Sequence, residues 1–256
     1  MVLLDDNFAS IVNAVEEGRA VFQNIRKFLT YVLVHNVAEL VPYLAFVLFK
    51  IPLALTPIQI LLIDMGTDSL TALGLGVEKP DPQGMRLPPR PQSEPLLNQS
   101  VALRAYLFLG PIEAVAAMAA FFLVLINGGW SYGQQLAWND LLYMQATTAC
   151  LSAIIVVQVV NVFLCRSAVR SVFSLRPFEN PLIVWGVALE IALLVAANYW
   201  PFANLVLGTH PVPAEVWLLI APFAVGFLGL EELRKAFVRK RLARRGRLVS
   251  SDPITT

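Results

Sequence analysis

Ile60-Leu61-Leu62-Ile63-Asp64-Met65-Gly66-Thr67-Asp68 sets two aspartates and a threonine inside an otherwise apolar stretch. A carboxylate in hydrocarbon costs at least ~2.5 to 3.5 kcal/mol on insertion scales, so acids at such depth mark a functional site and call for a positive partner. The apolar segment around them runs from about residue 54 to 75, close to the ~20 residues a helix needs to cross a bilayer. On that helix Asp64, Thr67 and Asp68 stand at i, i+3 and i+4, which puts both carboxylates and the hydroxyl on one face.

Working outward, 57% hydrophobic residues against 14% charged, with a mean hydropathy of +0.65, exclude an ordinary soluble domain. Apolar stretches at about 26–49, 54–75, 99–126, 139–164, 181–200 and 213–232 predict an all-α membrane protein with six transmembrane helices. Residues 1–24 carry repeated acids and no apolar run, so they are no signal peptide. They read instead as a short cytoplasmic stalk helix, with Asp6 or Asn7 as its cap.

The organisation expected is a stalk at 1–24, an ion-binding hairpin at 25–75, a Pro-rich cytoplasmic loop at 76–97, a four-helix bundle at 98–232 and a basic tail at 233–256. Of the 19 Lys and Arg residues, all but Lys50 fall on one side of these spans. By the positive-inside rule that side, with both termini, is cytoplasmic. Trp130, Trp138, Trp200 and Trp217 then sit near the outer interface as an aromatic belt. The basic run from Arg234 to Arg247 follows directly on an apolar span, which points to an anionic leaflet and not to nucleic acid. Cys150 and Cys165 are separated by roughly 22 Å of helix, so neither a disulfide nor a thiolate metal site is expected.

The first span carries a group that matches the acids of the second: Asn36 and Glu39, again at i and i+3. Facing each other, Asn36, Glu39, Asp64, Thr67 and Asp68 offer an all-oxygen set suited to a hard cation such as Na⁺, K⁺ or Ca²⁺. Pro42 frees the carbonyl of Ala38 beside Glu39, and Gly66 lets the second helix loosen between its acids. Gln158 and Asn161 in the fourth span and Glu190 in the fifth either extend this site or form a second one. His35 reads as a hydrogen-bonded core residue or as a group that tunes the charge of the site. Glu113 is a weaker candidate, and Thr147 and Thr148 are expected to bond back to their own helix.

These residues resemble a family, the type II cation-transporting P-type ATPases. LLDDNFASIVNAVEEGRAVFQNIRKF looks like the end of the family's phosphorylation domain and the stalk into its fifth membrane helix. HNVAELVP and IDMGTD look like the ion-binding stretches of helices five and six. GVEKPDPQGMRLPPRPQSEPLL resembles the loop between helices six and seven, and the rest fits helices seven to ten. The resemblance implies that the six spans are equivalent to helices 5 to 10 and that Asn36, Glu39, Asp64, Thr67 and Asp68 are transport-site ligands. Asp64 and Pro42 lean toward the sodium/potassium and proton/potassium branch. Tyr31 and Glu190 match positions used for an additional sodium site, Asn161 stands where an acid is expected, and His35 stands where that branch carries Ser or Lys.

The chain has no DKTGT, TGES or TGDGVND motif and no nucleotide-binding domain. The resemblance therefore implies that no catalytic residue and no cofactor belongs to this chain, and that Mg²⁺ and ATP act only through missing domains. The implied partners are the lipid bilayer and the missing N-terminal half of the pump, in cis or as a separate chain; the implied location is the cell membrane. Met1 falls in the middle of the family's phosphorylation domain, as expected of a gene fragment, a truncated sequence or one half of a split pump. Two other readings stand beside this one: a self-contained channel or secondary transporter, and a noncatalytic membrane subunit that docks on another pump.

Overall fold

The computed structural model describes residues 8–80, 85, 91 and 94–244. Among them the chain is helical with no strand, and six helices are long and apolar enough to cross a membrane: Ala9–Phe49, Pro57–Gly76, Gln99–Asn127, Leu141–Cys165, Pro181–Tyr199 and Ala214–Arg244. They are called the first to sixth spans below. The proposed caps Asp6 and Asn7 lie outside the described residues.

The first span belongs to one uninterrupted helix, Phe8–Phe49, of 42 residues. Stalk and membrane segment are thus one rod of about 63 Å, twice the ~30 Å hydrocarbon thickness. The stalk part is clamped where it leaves the apolar zone. Lys27 Nζ donates to Glu78 Oε2 at 2.8 Å and Asn24 Nδ2 donates to the Glu78 carbonyl at 2.5 Å. Arg166 also reaches the Glu78 carboxylate, and Arg26 pairs with Glu94 at 2.9 Å. One acid, Glu78, therefore fastens the first span to the loops that follow the second and fourth.

Two spans depart from plain α-helix. Leu62–Thr67 in the second and Leu103–Leu109 in the third are π-helical turns. Such a turn shifts the backbone bond from i→i−4 to i→i−5, which frees carbonyls and rotates the side chains that follow. The fourth span is the most buried of the six and forms the axis around which the others pack. Ala146, Ala149, Cys150, Ala153 and Ile154 along it belong to the largest apolar cluster, with Ala117, Phe121 and Leu125 of the third span. Both cysteines are free and buried.

The segment from Pro201 to Pro213, expected as a turn-rich loop, contains a short helix, Pro201–Leu207. Pro201 supplies a φ suited to its first turn, and Gly208 ends it at φ 61°. The sixth span continues as helix to Arg244, well past residue 232 where the apolar run stops. Glu231-Glu232-Leu233-Arg234-Lys235-Ala236 contains neither Gly nor Pro and is laced with i,i+3 ion pairs, so helix propensity carries it on.

The base of this helix is an ionic knot. Arg104 Nη2 reaches Glu231 Oε1 at 2.6 Å, Arg234 Nε pairs with Glu231 Oε2 at 2.6 Å, and the fully buried Lys235 donates to Glu232 at 3.3 Å. Arg104 also donates to the Leu164 carbonyl at 3.2 Å, which ties the third, fourth and sixth spans at one level.

Candidate functional site

The second span enters the site through its π turn. The Asp68 N–H bonds the Ile63 carbonyl, and the Ser69 hydroxyl takes the Asp64 carbonyl at 3.0 Å. This is the loosening that Gly66 was read to allow, and it falls on the segment LIDMGT. Thr67 and Asp68 point into the bundle and are buried, whereas Asp64 is exposed beside Leu61 and Met65. On the first span Glu39 is buried and Asn36 is exposed. Helical spacing placed these residues on common faces; which edge of the face turns inward depends on the neighbouring spans. Asp64 and Asp68 are nevertheless both among the charges acting on Glu39.

Between the first, second and fifth spans lies a hydrogen-bonded hub. The Tyr31 hydroxyl is 3.1 Å from Asp68 Oδ1, 2.9 Å from Thr71 Oγ1 and 3.4 Å from Glu190 Oε1. A hydroxyl has only one proton to give, so it donates to one carboxylate at a time while its lone pairs accept. All four residues are buried. The approach of the fifth span to the second depends on two glycines. A Cβ on Gly186 would stand 2.5 Å from Thr71 Cγ2 and 2.9 Å from Thr71 N, and one on Gly74 would stand 2.8 Å from Ile183 Cγ1. Small residues at this crossing let the backbones close until Thr71 and Glu190 meet Tyr31.

A second polar chain runs toward the third and fourth spans. His35 Nδ1 lies 2.7 Å from Glu113 Oε1, with both side chains buried, and His35 Nε2 lies 3.5 Å from Asn161 Nδ2. Tyr31 packs edge-on against the His35 ring at 4.4 Å, so the two chains join through stacked aromatic rings. Thr67 Oγ1 contacts Gln158 Oε1 at 3.2 Å, which brings the fourth span to the same place. Thr147 and Thr148 bond back to the Met144 carbonyl at 3.1 and 2.6 Å, as expected of buried threonines.

The distribution of unmet polar atoms is informative. Glu39 Oε1, Glu113 Oε2, Glu190 Oε2 and Gln158 Nε2 are buried with no hydrogen-bond partner. Buried polar atoms are nearly always paired, so four in one region mark a place for a ligand atom or a proton. Among the described residues every Lys and Arg that pairs with a carboxylate lies at the basic end, on Glu78, Glu94, Glu231 or Glu232; none reaches Glu39, Asp64, Asp68 or Glu190. The described residues hold no cluster of three or more His, Cys, Asp and Glu side chains gathered as a metal cage. What they present is a set of separate carboxylate, hydroxyl and amide oxygens.

Residue-by-residue reading undervalued Thr71, Gly74, Gly186 and Glu113. Thr71 is three residues after Asp68 and Gly186 four before Glu190, so each shares a face with an acid already singled out. That spacing was the available signal.

A family model described as "Cation transporting ATPase, C-terminus" matches residues 52–237. The chain is 33% identical to the sodium/potassium-transporting ATPase subunit alpha-4 of Rattus norvegicus over 94% of its own length and 26% of that protein. It is 32% identical to the alpha-1 subunit of Catostomus commersonii and 33% to the alpha-3 subunit of Gallus gallus, with the same two coverages. The chain thus spans 26% of the length of these relatives.

Proposed function

The chain belongs to the cation-transporting ATPases, as a C-terminal membrane part of the type II P-type pumps, and from that premise we propose that its spans hold the transported cation. The observation that carries the reading is the burial of Glu39, Asp68 and Glu190 without a lysine or arginine to neutralise them, two of them with an unpartnered oxygen. Uncompensated carboxylates in low dielectric demand a bound cation or a proton. The ligands proposed are Glu39, Thr67, Asp68, Gln158 and Glu190 from inside the bundle, with Asn36 and Asp64 at its open flank.

Oxygen donors of this kind suit Na⁺, K⁺ or Ca²⁺. The cation is cargo; Mg²⁺ and ATP belong to domains outside this chain. Asp64 and Asn36, exposed at membrane depth, are costly against lipid, so this flank is proposed to be covered by the N-terminal half of the pump. Both termini are assigned to the cytoplasmic side of the membrane by the charge bias.

The first helix suggests how energy from elsewhere reaches the site. A displacement of the stalk near Phe8 is carried by one continuous rod to His35, Asn36 and Glu39, since no loop interrupts it to absorb the motion. Pro42, inside the helix and three residues past Glu39, removes one backbone bond and gives a point where the rod bends. The π turn opposite supplies the matching compliance.

The test is thermal unfolding of the purified chain in detergent at constant ionic strength, with Na⁺, K⁺ or Ca²⁺ against a large organic cation. One of the inorganic ions should raise Tm, and Asp68→Asn and Glu39→Gln should each abolish that increment. An increment that survives both substitutions, or none for any ion, rejects the site.

A further inference from the structure

We infer that the projecting end of the sixth span, with the loop it holds, binds the headgroups of anionic phospholipids. The helix Ala214–Arg244 has 31 residues. At 1.5 Å per residue it is about 46 Å long, against about 30 Å of hydrocarbon, so about ten residues emerge at the basic end.

The emerging part is two-faced. Leu233, Phe237, Lys240, Arg241 and Arg244 are all exposed. Their spacing, i, i+4, i+7, i+8 and i+11, draws one stripe along the helix. The opposite side is committed: Glu231 and Lys235 are buried in the ionic knot, Arg234 Nη2 holds the Ala168 carbonyl at 2.9 Å and Arg239 Nη1 the Val169 carbonyl at 2.9 Å.

Along the stripe the chemistry changes in the order that a leaflet changes. Two apolar side chains come first and three cations follow, as acyl chain gives way to phosphate. Lys240, Arg241 and Arg244 have no hydrogen bond or ion pair among the described residues.

The loop between the fourth and fifth spans completes the surface. It is pinned to the same helix by Arg234, by Arg239 and by the Val172 N–H, which donates to Glu232 Oε1 at 2.9 Å. It nonetheless leaves Phe173 and Phe178 78% and 81% exposed. Exposed phenylalanines on a fixed connection between two spans are suited to the acyl boundary. A soluble polyanion would use the cations but leave Leu233, Phe237, Phe173 and Phe178 without a role. A phospholipid uses both halves.

The full chain, purified from native membranes in mild detergent, should carry anionic phospholipid several-fold enriched over its share of the source membrane, as read by mass spectrometry. The triple variant Lys240→Gln, Arg241→Gln, Arg244→Gln should return the ratio to that of the source. A charge-matched control, Lys79→Gln, Arg86→Gln, Arg90→Gln, should keep the enrichment, and the three single variants at 240, 241 and 244 should lose it in steps. Enrichment that survives the triple variant, absent enrichment in the parent chain, or an equal loss in the control overturns the proposal. So does full displacement of the lipid by inorganic phosphate, which would identify a site for soluble anions.

Discussion

Gly186→Ala is the sharpest test of how the site is assembled. The added methyl carbon would lie 2.5 Å from Thr71 Cγ2 and 2.9 Å from Thr71 N. Carbon atoms rest at about 3.5 to 4.0 Å, so the second and fifth spans must part by about 1 Å. Thr71 N is backbone and cannot swing away, so the cost falls on helix position and not on a rotamer. Overpacking of this kind costs about 1 to 3 kcal/mol. The same change recovers about 0.5 to 1 kcal/mol of helix propensity, which does not offset it.

The separation also acts on the hub, because the Tyr31–Glu190 contact at 3.4 Å is already near the limit of a hydrogen bond. Another ~1 Å breaks it and adds a loss of about 1 kcal/mol. Thermal unfolding in detergent should show Gly186→Ala several degrees below the parent, with its cation-induced increment reduced. Gly226→Ala is the control, since nothing lies within 4 Å of a Cβ there, and it should be neutral or slightly stabilising. If Gly186→Ala behaves like Gly226→Ala and keeps the full cation increment, close approach of these spans does not build the site.

Tyr31→Phe should remove the bridge between Asp68, Thr71 and Glu190 and cost about 1.5 to 3 kcal/mol for bonds to charged groups, with weaker cation stabilisation in the same assay. Wild-type behaviour would show that the hydroxyl is incidental. Glu231→Gln should leave Arg104 poorly compensated in a buried setting and lower stability by about 3 to 5 kcal/mol without changing which cation is preferred; an altered preference would tie this knot to the transport site. Glu78→Ala should release the stalk from Lys27 and Arg166, so proteolysis between residues 8 and 30 should accelerate while the membrane core stays intact. An unchanged cleavage rate would mean that the clamp adds nothing to stalk order. Glu113→Leu should leave the buried His35 ring without its 2.7 Å partner and destabilise the chain by about 1 to 3 kcal/mol. Parental stability in that variant would mean the His35 ring is satisfied without Glu113.

The six spans were readable because transfer to a membrane is close to a sum over residues: the apolar runs near 54–75, 99–126 and 181–200 reappear as helices within a residue or a few at each end. The sixth span escaped that rule at its end, where hydropathy stops at about residue 232 but helix propensity and i,i+3 pairing continue to Arg244. Pro201–Leu207 escaped it too, since a proline-started helix of two turns is compositionally a loop. The acids of the second span, Glu39 and Glu190 stood out in the sequence for a local reason: charge in hydrocarbon is rare whatever surrounds it.

What surrounds each acid was a different matter. The sequence by itself determined that carboxylates would sit at membrane depth in the first, second and fifth spans, because hydropathy and helical period are properties of a segment alone. Only the tertiary structure decided that Asp68 turns inward while Asp64 stays at the flank, that Tyr31 joins Asp68 to Glu190, and that His35 faces Glu113. Those outcomes depend on the rotation of each helix and on sub-ångström approach at Gly74 and Gly186. Such quantities are fixed by contact between helices, and no single helix encodes them.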